Sequence, residues 1–175
     1  MTPEPAIAPL APVSRAEFRA ALGEFPTGIT VVTTVLDGID HAMTANAFTS
    51  VSLDPLLVLV CVEKITRFHE AVQEAGVWGV SVLAAGAEEA ARWFATRGRP
   101  LQGQLDRYPF RRGIYTGVPL LTASLSTLEC RTYASYDGGD HTIVVGEVLA
   151  ARVEPGDGRP LLYYRGRYDA VDDGS

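Results

Sequence analysis

Cysteine is scarce in this chain: its 175 residues include only two, Cys61 and Cys130. Cys61 falls within an apolar segment and Cys130 within a predicted strand, so we expect two buried, reduced thiols rather than a disulfide. The two cysteines and three histidines show no metal-ligand spacing, and we expect no metal site. Reduced thiols favour a cytoplasmic protein.

An excess of basic residues is also missing. The chain has 15 Lys and Arg against 21 Asp and Glu, for a formal net charge of −6. A nucleic-acid surface needs clustered cations that neutralise phosphates. The only basic cluster in the sequence is Arg107, Arg111 and Arg112. We therefore expect no nucleic-acid partner.

Long apolar runs are absent as well. No segment approaches the roughly 18 consecutive apolar residues of a transmembrane helix. The N-terminal stretch MTPEPAIAPLAPVSR has neither a positive leader nor an uninterrupted apolar core. Neither membrane insertion nor secretion is expected.

The composition that is present, 47% hydrophobic and 21% charged, is typical of a globular domain. We expect a flexible N-terminal arm over residues 1–13, where four prolines stand among alanines. A single domain is expected over residues 14–170, and a short C-terminal tail over 171–175.

Apolar spacing predicts three short helices. The first begins after Ser14, an N-cap candidate with Glu17 at capping-box spacing. The second runs from Thr66, a possible N-cap, to Gly76, which is expected to end it. The third covers residues 87–95, with acidic residues in its first turn.

Segments rich in β-branched residues and bounded by turn signals predict six or seven strands. They are residues 28–35, a second strand joined to them by a hairpin at Asp37-Gly38, and residues 56–62, 78–83, 120–136, 142–153 and 161–168. The alternation shifts phase near Ser126, as a β-bulge would cause. Residues 98–119 are predicted to form a long, functional loop. Without a βαβ rhythm, these elements indicate a mainly β fold with short helices, an antiparallel barrel or sandwich.

The stretch from Ala42 to Val62, AMTANAFTSVSLDPLLVLVCV, is interpreted as a strand end, a polar loop and a buried strand. Its loop is crowded with small hydroxyl and amide side chains between apolar neighbours. Such a loop can present backbone N–H groups and short donors to a flat polar ligand. The alternative is that these side chains only satisfy a tight turn.

The order M-T-A-N-A-x-T-S-V-S-L-D-P-x-L-V-L-V-C-V resembles the signature of the short-chain flavin reductases, the reductase components of two-component flavin monooxygenases. Further similar segments are FRAALGEFPTGITVVTT, SLSTLECR, GGDHTIVVGEV and PLLYYRGRY, so the resemblance extends from Phe18 to Tyr168. It implies an FMN-binding, antiparallel Greek-key split β-barrel that is usually a homodimer. It also implies binding of FMN or FAD, reduction by NADH or NADPH, and a separate oxygenase that receives the reduced flavin.

The resemblance assigns flavin-binding roles to three groups of residues. Those that contact the isoalloxazine and ribityl chain are Thr44, Ala45, Asn46, Ala47, Ser50, Val51 and Ser52. Those at the end of the buried strand and the start of the next helix are Cys61, Val62, Lys64, Thr66 and Arg67. They form the best candidate site for the flavin phosphate, because a helix N-terminus and cations stabilise anions. The alternative is that Thr66 is only a helix cap and Arg67 only a solvated charge. Arg107 belongs to an Arg-aromatic pair that either reaches the cofactor or anchors its loop. The chain departs from the family at Ala47, where many members have serine, and at Ile65.

The motif Gly138-Gly139-Asp140-His141 resembles the G-D-H element of the family, which is associated with the reduced nicotinamide. Gly139, Asp140 and His141 are therefore the predicted nicotinamide-binding residues, and His141 is the predicted catalytic residue. Glycines allow a hairpin tip to approach a planar ligand closely, and a histidine can donate to it or stack on it. A single histidine on a hairpin is otherwise usually just exposed. His41 and His69 have no matching context.

The implied reaction is transfer of hydride from C4 of the nicotinamide to N5 of the flavin, followed by release of reduced flavin. The sequence contains no G-x-G-x-x-G unit, so the nicotinamide is not bound by a Rossmann domain. Two alternatives stay open: a flavoprotein oxidase or oxygenase of the same split-barrel group that retains its flavin, and a non-catalytic flavin-binding or redox-sensing module. FMN against FAD and NADH against NADPH are open too.

Overall fold

The computed structural model describes residues 12–156 and 158–171. The predicted arm at 1–13 and tail at 171–175 lie almost wholly outside these residues. The helices are α1 (Arg15–Gly23), α2 (Arg67–Ala75) and α3 (Glu88–Ala95). The strands are β1 (Thr27–Gly28), β2 (Thr30–Leu36), β3 (Ile39–Ala45), β4 (Phe48–Leu53), β5 (Leu56–Glu63), β6 (Val77–Leu83), β7 (Phe110–Arg112), β8 (Pro119–Leu121), β9 (Ser124–Gly138), β10 (His141–Val153), β11 (Leu161–Tyr164) and β12 (Arg167–Ala170).

Seven of these strands form one antiparallel sheet in the order β3-β2-β6-β9-β10-β5-β4. The two edge strands, β3 and β4, are consecutive in sequence and are joined by Asn46 and Ala47 alone. Successive Cα atoms are about 3.8 Å apart, so Ala45 and Phe48 lie within about 11 Å of each other. The sheet must therefore curl until its edges meet at that end, which confirms the predicted antiparallel split barrel.

The barrel interior is filled from alternate positions of its strands. On β5, Val58, Val60 and Val62 are buried, whereas the positions between them face outward and are only partly covered. The interior cluster includes Trp78 of β6 and Phe68 of α2. The prediction of a buried strand here therefore holds for one face only, because a continuous apolar run in an antiparallel strand still places alternate side chains on opposite faces.

A second apolar cluster lies outside the barrel and positions α3. Ala90, Ala91 and Phe94 of α3 pack with residues that include Val31 of β2 and Ala42 of β3. Strand β2 is accordingly buried on both faces, from Thr30 to Thr34. This packing holds the end of α3 and the loop after it beside the end of β3.

The N-cap and hairpin predictions near the start are confirmed. Ser14 and Glu17 form the capping box of α1, with bonds of 2.9 Å and 3.2 Å between the paired backbone and side-chain groups. Asp37 and Gly38 join β2 to β3 with φ of 51° and 75°, which is the sign a tight type I′ turn requires at both positions. The register shift between Val82 and Leu83, opposite Ser126 and Ser124, confirms the predicted bulge.

Two local predictions were wrong. The polar loop is mostly a strand: β4 pairs with β5, and its bulge between Ser50 and Ser52 accommodates the polar residues on an edge. The last strand is two, because Arg165-Gly166 makes a turn with φ of 49° and 77°. The N-cap position predicted for Thr66 is confirmed, although its hydroxyl donates to the carbonyl of Glu63 and makes no capping bond to α2.

Candidate functional site

A cleft of about 430 Å³ opens where the end of β3, the end of β5, the start of α2 and the segment after α3 converge. It is lined by His41, Ala42, Met43, Thr44, Ala45, Asn46, Ala47, Cys61, Glu63, Ile65, Thr66, Arg67, Phe68, Phe94, Ala95, Thr96, Arg97, Gly98, Arg99, Leu101, Gln104 and His141. Its size lies within the range of small-molecule and cofactor sites, about 300–1,000 Å³. Eight of the predicted site residues are among these: Thr44, Ala45, Asn46, Ala47, Cys61, Thr66, Arg67 and His141.

The floor of the cleft is the β3–β4 joint. Thr44 donates its hydroxyl to the carbonyl of Ala91 at 2.7 Å, which ties the floor to α3. The Asn46 amide lies 3.3 Å from the hydroxyl of Thr27, and the carbonyl of Ala47 accepts from the N–H of Cys61 at 3.0 Å. Short side chains on a tied backbone leave room for a flat ligand to lie against the main chain.

One end of the cleft is electropositive. Arg67 opens α2 and donates to the main-chain carbonyl of Arg99 at 2.6 Å. Burial, and then the positive charge of Arg67, lower the pKa of the Arg99 guanidinium. Burial, and then the positive charge of Arg67, lower the pKa of His41 on the adjacent wall, which keeps that imidazole neutral at pH 7. A helix N-terminus beside a cation is a site that stabilises an anion.

The far wall comes from the segment after α3. Arg99 donates to the carbonyls of Ala42 and Thr96, and its guanidinium lies 5.7 Å from the ring centre of Phe94. Gln104, which is buried, donates to the carbonyl of Asp40 at 2.6 Å. These bonds fasten the segment to β3. The sequence predicts residues 98–119 only as a long functional loop and gives no site role to Gln104 or Phe94.

His141 stands at the rim of the cleft, at the start of β10. Its Nδ1 lies 2.7 Å from Oδ1 of Asp140. A hydrogen bond from Nδ1–H to this carboxylate leaves Nε2 as the ring atom available to a ligand. The bond from His141, together with its charge, lowers the pKa of the Asp140 carboxyl, so the orienting group is ionised at neutral pH.

The other predicted site residues lie outside this cleft. Ser50, Val51 and Ser52 are on β4, where Ser52 accepts from the N–H of Asp54 at 3.2 Å. Val62 points into the barrel and is fully buried. Arg107 lies over the ring of Trp93, with its guanidinium carbon 5.5 Å from the ring centre, which is the loop-anchoring alternative.

Lys64 and the glycine turn also lie beyond the cleft lining. The ammonium group of Lys64 donates to the carbonyl of Gly139 at 2.7 Å and to the carboxylate of Asp137. Gly139 and Asp140 form the two-residue turn between β9 and β10, and Gly139 has a φ of 77°. Lys64 therefore contacts the hairpin tip, away from the α2 end of the cleft.

A second, larger cleft of about 970 Å³ shares Asn46, Ala47 and Cys61 with the first. Its other side is α1, which buries none of its own residues. Phe18, Leu22 and Phe25 are 58%, 57% and 71% exposed. The joint between β3 and β4 thus separates a cleft of mixed polar and apolar lining from a mainly apolar one.

The family profile described as "Flavin reductase like domain" matches residues 22–172. The chain belongs to this family. It is 44% identical to the NADH-dependent FAD reductase of Streptomyces globisporus over 169 residues, covering 94% of this chain and 92% of that protein. It is 35% identical to the reductase subunit HsaB of a flavin-dependent monooxygenase from Rhodococcus jostii (strain RHA1), covering 89% and 77%.

The fold of the chain is also similar to that of a solved flavin reductase structure. The S. globisporus C-1027 NADH:FAD oxidoreductase SgcE6, in complex with NAD and FAD fragments, aligns with a TM-score of 0.86 and 40% identity, covering 92% of this chain and 94% of that chain. The resemblance to flavin reductases found in the sequence is therefore confirmed. So is the predicted class of function, an oxidoreductase that reduces flavin with a reduced nicotinamide.

Within residues 12–156 and 158–171, no cluster of three or more His, Cys, Asp and Glu side chains is arranged to hold a metal ion. None of the helices in that part of the chain has the length and apolar character needed to cross a membrane.

Proposed function

We propose that this protein is an NADH-dependent flavin reductase that takes FAD or FMN as a released substrate and works at the cleft between β3, β5, α2 and α3. The observation that carries the proposal is the arrangement of the cleft: a flat floor at Thr44–Ala47, a cationic end at Arg67 and a histidine at the rim. The same chain forms a single domain over residues 14–170.

The cleft fits a flavin because a cationic end adjoins a floor of short, uncharged side chains. Arg67 and the N-terminus of α2 would hold the phosphate, and Thr44, Ala45, Asn46 and Ala47 would support the ring. A bound flavin supplies the hydride-accepting N5. This chain would contribute stacking, orientation and the exclusion of water, and His141 would orient the nicotinamide from the rim through Nε2.

NADH, not NADPH, is the proposed reductant. Three arginines that could bind a 2′-phosphate are engaged in ion pairs within the protein. Arg97 donates to both oxygens of Glu63, and Arg112 donates to both oxygens of Asp40. Arg111 pairs with Glu154 at 2.7 Å. Recognition of a 2′-phosphate by any of the three would require its pair to open. Comparison of kcat/KM for the two nucleotides tests this choice, and we expect the larger value for NADH.

A homodimer is the proposed assembly. Helix α1 buries none of its residues, and its apolar side chains face the larger cleft, whose lining reaches Asn46, Ala47 and Cys61 of the flavin site. A second copy of the chain bound to this surface would cover both the apolar side chains of α1 and this side of the flavin site. Sedimentation of the wild type and of Leu22→Glu tests the assembly. We expect a dimer that the added charge weakens, and a monomeric wild type would contradict the assignment.

The proposed destination of the reduced flavin is a separate oxygenase component, because the relative HsaB is named as the reductase subunit of a flavin-dependent monooxygenase. A cytoplasmic location is proposed with it, supported by Cys61 and Cys130, which are both free thiols.

Anaerobic reduction of excess flavin tests the central proposal. The protein is mixed with many equivalents of FAD or FMN, NADH is added, and flavin absorbance is followed. A reductase bleaches many flavins per protein. Bleaching of one equivalent that stays bound would instead support the oxidase or oxygenase that retains its flavin, and no bleaching would support a non-catalytic module.

A further inference from the structure

Lys64 is the only lysine in the sequence, and it bonds the hairpin tip that carries His141. Its Nζ donates to the carbonyl of Gly139 at 2.7 Å and to the carboxylate of Asp137. Its backbone N–H donates to the carbonyl of Asp140 at 3.0 Å. Three bonds from one residue therefore converge on three residues of the tip, Asp137, Gly139 and Asp140.

These bonds contact the hairpin tip beyond the last backbone pairs of the sheet. The β5–β10 ladder ends with the pair of Glu63 and His141, and the β9–β10 ladder ends with the pair of Gly138 and His141. Gly139 and Asp140 lie beyond both ladders. An exposed ion pair contributes little by itself, but Lys64 combines a charged bond with two bonds to backbone carbonyls of the same turn. It thereby extends the contact of β5 past the end of the ladder.

We propose that Lys64 is a positioning residue for the nicotinamide: it fixes the Gly139-Asp140 turn so that His141 is held at the rim of the cleft. The proposal rests on the proposed function. It reassigns Lys64 from the flavin phosphate, which is left to Arg67 and the N-terminus of α2. Lys64 acts through the turn and through His141, and does not itself touch the reacting atoms.

The test compares the wild type with three variants of the full chain. Lys64→Met removes the ammonium group, and Lys64→Arg keeps a cation that can donate to the same carbonyl and carboxylate. Arg131→Met is the matched control, because Arg131 is an exposed cation on β9 whose partner is Glu147. Three kinds of measurement are made. The first is amide hydrogen exchange of residues 138–141 without ligand, and the second is steady-state KM for NADH together with the anaerobic rate of hydride transfer. The third is the affinity for FMN and for riboflavin.

For Lys64→Met we expect faster exchange at the tip and a loss of about ten-fold in kcat/KM for NADH, as a small misplacement of an orienting group gives. The affinities of Lys64→Met for FMN and riboflavin should stay within about two-fold of the wild-type values. Lys64→Arg should recover most of the wild-type kcat/KM for NADH, and Arg131→Met should resemble the wild type. Unchanged exchange would overturn the proposal. A loss of affinity for FMN without a loss for riboflavin would also overturn the proposal, because that pattern would show that Lys64 binds the flavin phosphate. If the wild type reduces no flavin, the proposed function fails, and the exchange data still decide whether Lys64 holds the tip.

Discussion

Oδ1 of Asp140 lies 2.7 Å from Nδ1 of His141, so the carboxylate determines which ring nitrogen faces the cleft. We predict that His141→Ala slows hydride transfer or weakens NADH binding by about ten-fold, because an orienting group is lost. Asp140→Asn should give a smaller loss, since an amide still bonds the ring. Stopped-flow reduction measures the first effect, and flavin fluorescence should show unchanged flavin affinity. A His141→Ala variant with wild-type kinetics would refute the role of His141.

Arg67 is predicted to bind the flavin phosphate. Arg67→Met should weaken FMN binding by about ten-fold, whereas riboflavin binding should change little. Ten-fold is the effect of losing one charge-assisted hydrogen bond of roughly 1.5 kcal/mol. The same variant should raise the pKa of His41, because the charge of Arg67 is one of the causes that lower it. Fluorescence titration and an NMR titration of the histidine ring measure the two effects. Equal losses for FMN and riboflavin would contradict the phosphate assignment.

Glu129 anchors the loop before β8. Its buried carboxylate accepts from the N–H groups of Ile114, Tyr115 and Thr116 and from the Thr116 hydroxyl, at 2.8 to 2.9 Å. Burial acts to raise the pKa of Glu129, but these hydrogen bonds outweigh it and the pKa is lowered. We predict that Glu129→Gln destabilises the protein by about 2 kcal/mol at pH 7, as expected for bonds to a charged acceptor.

The pH dependence of that difference has a definite sign. A lowered pKa in the folded state contributes stability that is present above the unfolded value of 4.5 and is lost as pH falls through the folded pKa. The stabilities of the wild type and Glu129→Gln should therefore converge below pH 4.5, as measured by urea unfolding from pH 7 down to pH 3. Glu147→Gln, which removes an exposed carboxylate on β10, is the control. A difference that does not change with pH would be inconsistent with an ionised Glu129.

Gly146 is predicted to be intolerant of any side chain. A Cβ at this position would lie 2.3 Å from Cζ2 of Trp78, a fully buried residue of the barrel core. Gly146→Ala should cost about 1–3 kcal/mol in unfolding free energy through overpacking. Gly86→Ala, where a Cβ meets nothing within 4 Å, should change stability by less than about 0.5 kcal/mol. Urea unfolding compares the two, and equal stabilities would show that Trp78 moves aside.

Much of the fold was predictable because its signals are local. Asp37-Gly38 marks a hairpin by sequence alone, and Ser14 with Glu17 marks a helix start. The turn at Arg165-Gly166 lacks the usual residues, since an arginine seldom takes a positive φ. Arg165 donates to the carbonyl of Gly23 through its backbone and to Glu24 through its side chain, and these contacts come from distant α1.

The candidate site was predictable only in part, because some of its residues are placed by contacts between segments that are distant in sequence. The floor from Thr44 to Ala47 lies in one continuous motif, so a family resemblance could identify it. Arg99 and Gln104 reach the cleft because their side chains bond carbonyls of β3 more than fifty residues earlier. No local pattern carries that information. The direction of Lys64, toward the hairpin tip and away from α2, likewise depends on the pairing of β5 with β10.

Flavin reduction is assigned to the cleft whose floor is the β3–β4 joint, and Ala47 allows the most direct test of that assignment. Ala47 is exposed and lines the cleft, so a tryptophan there would fill the space without disturbing the core. Anaerobic turnover of excess FAD with NADH is compared for the wild type and Ala47→Trp at equal thermal stability. We predict a loss of about 100-fold in turnover, as expected when reactants cannot be aligned. Turnover by Ala47→Trp at the wild-type rate would contradict the assignment of this cleft.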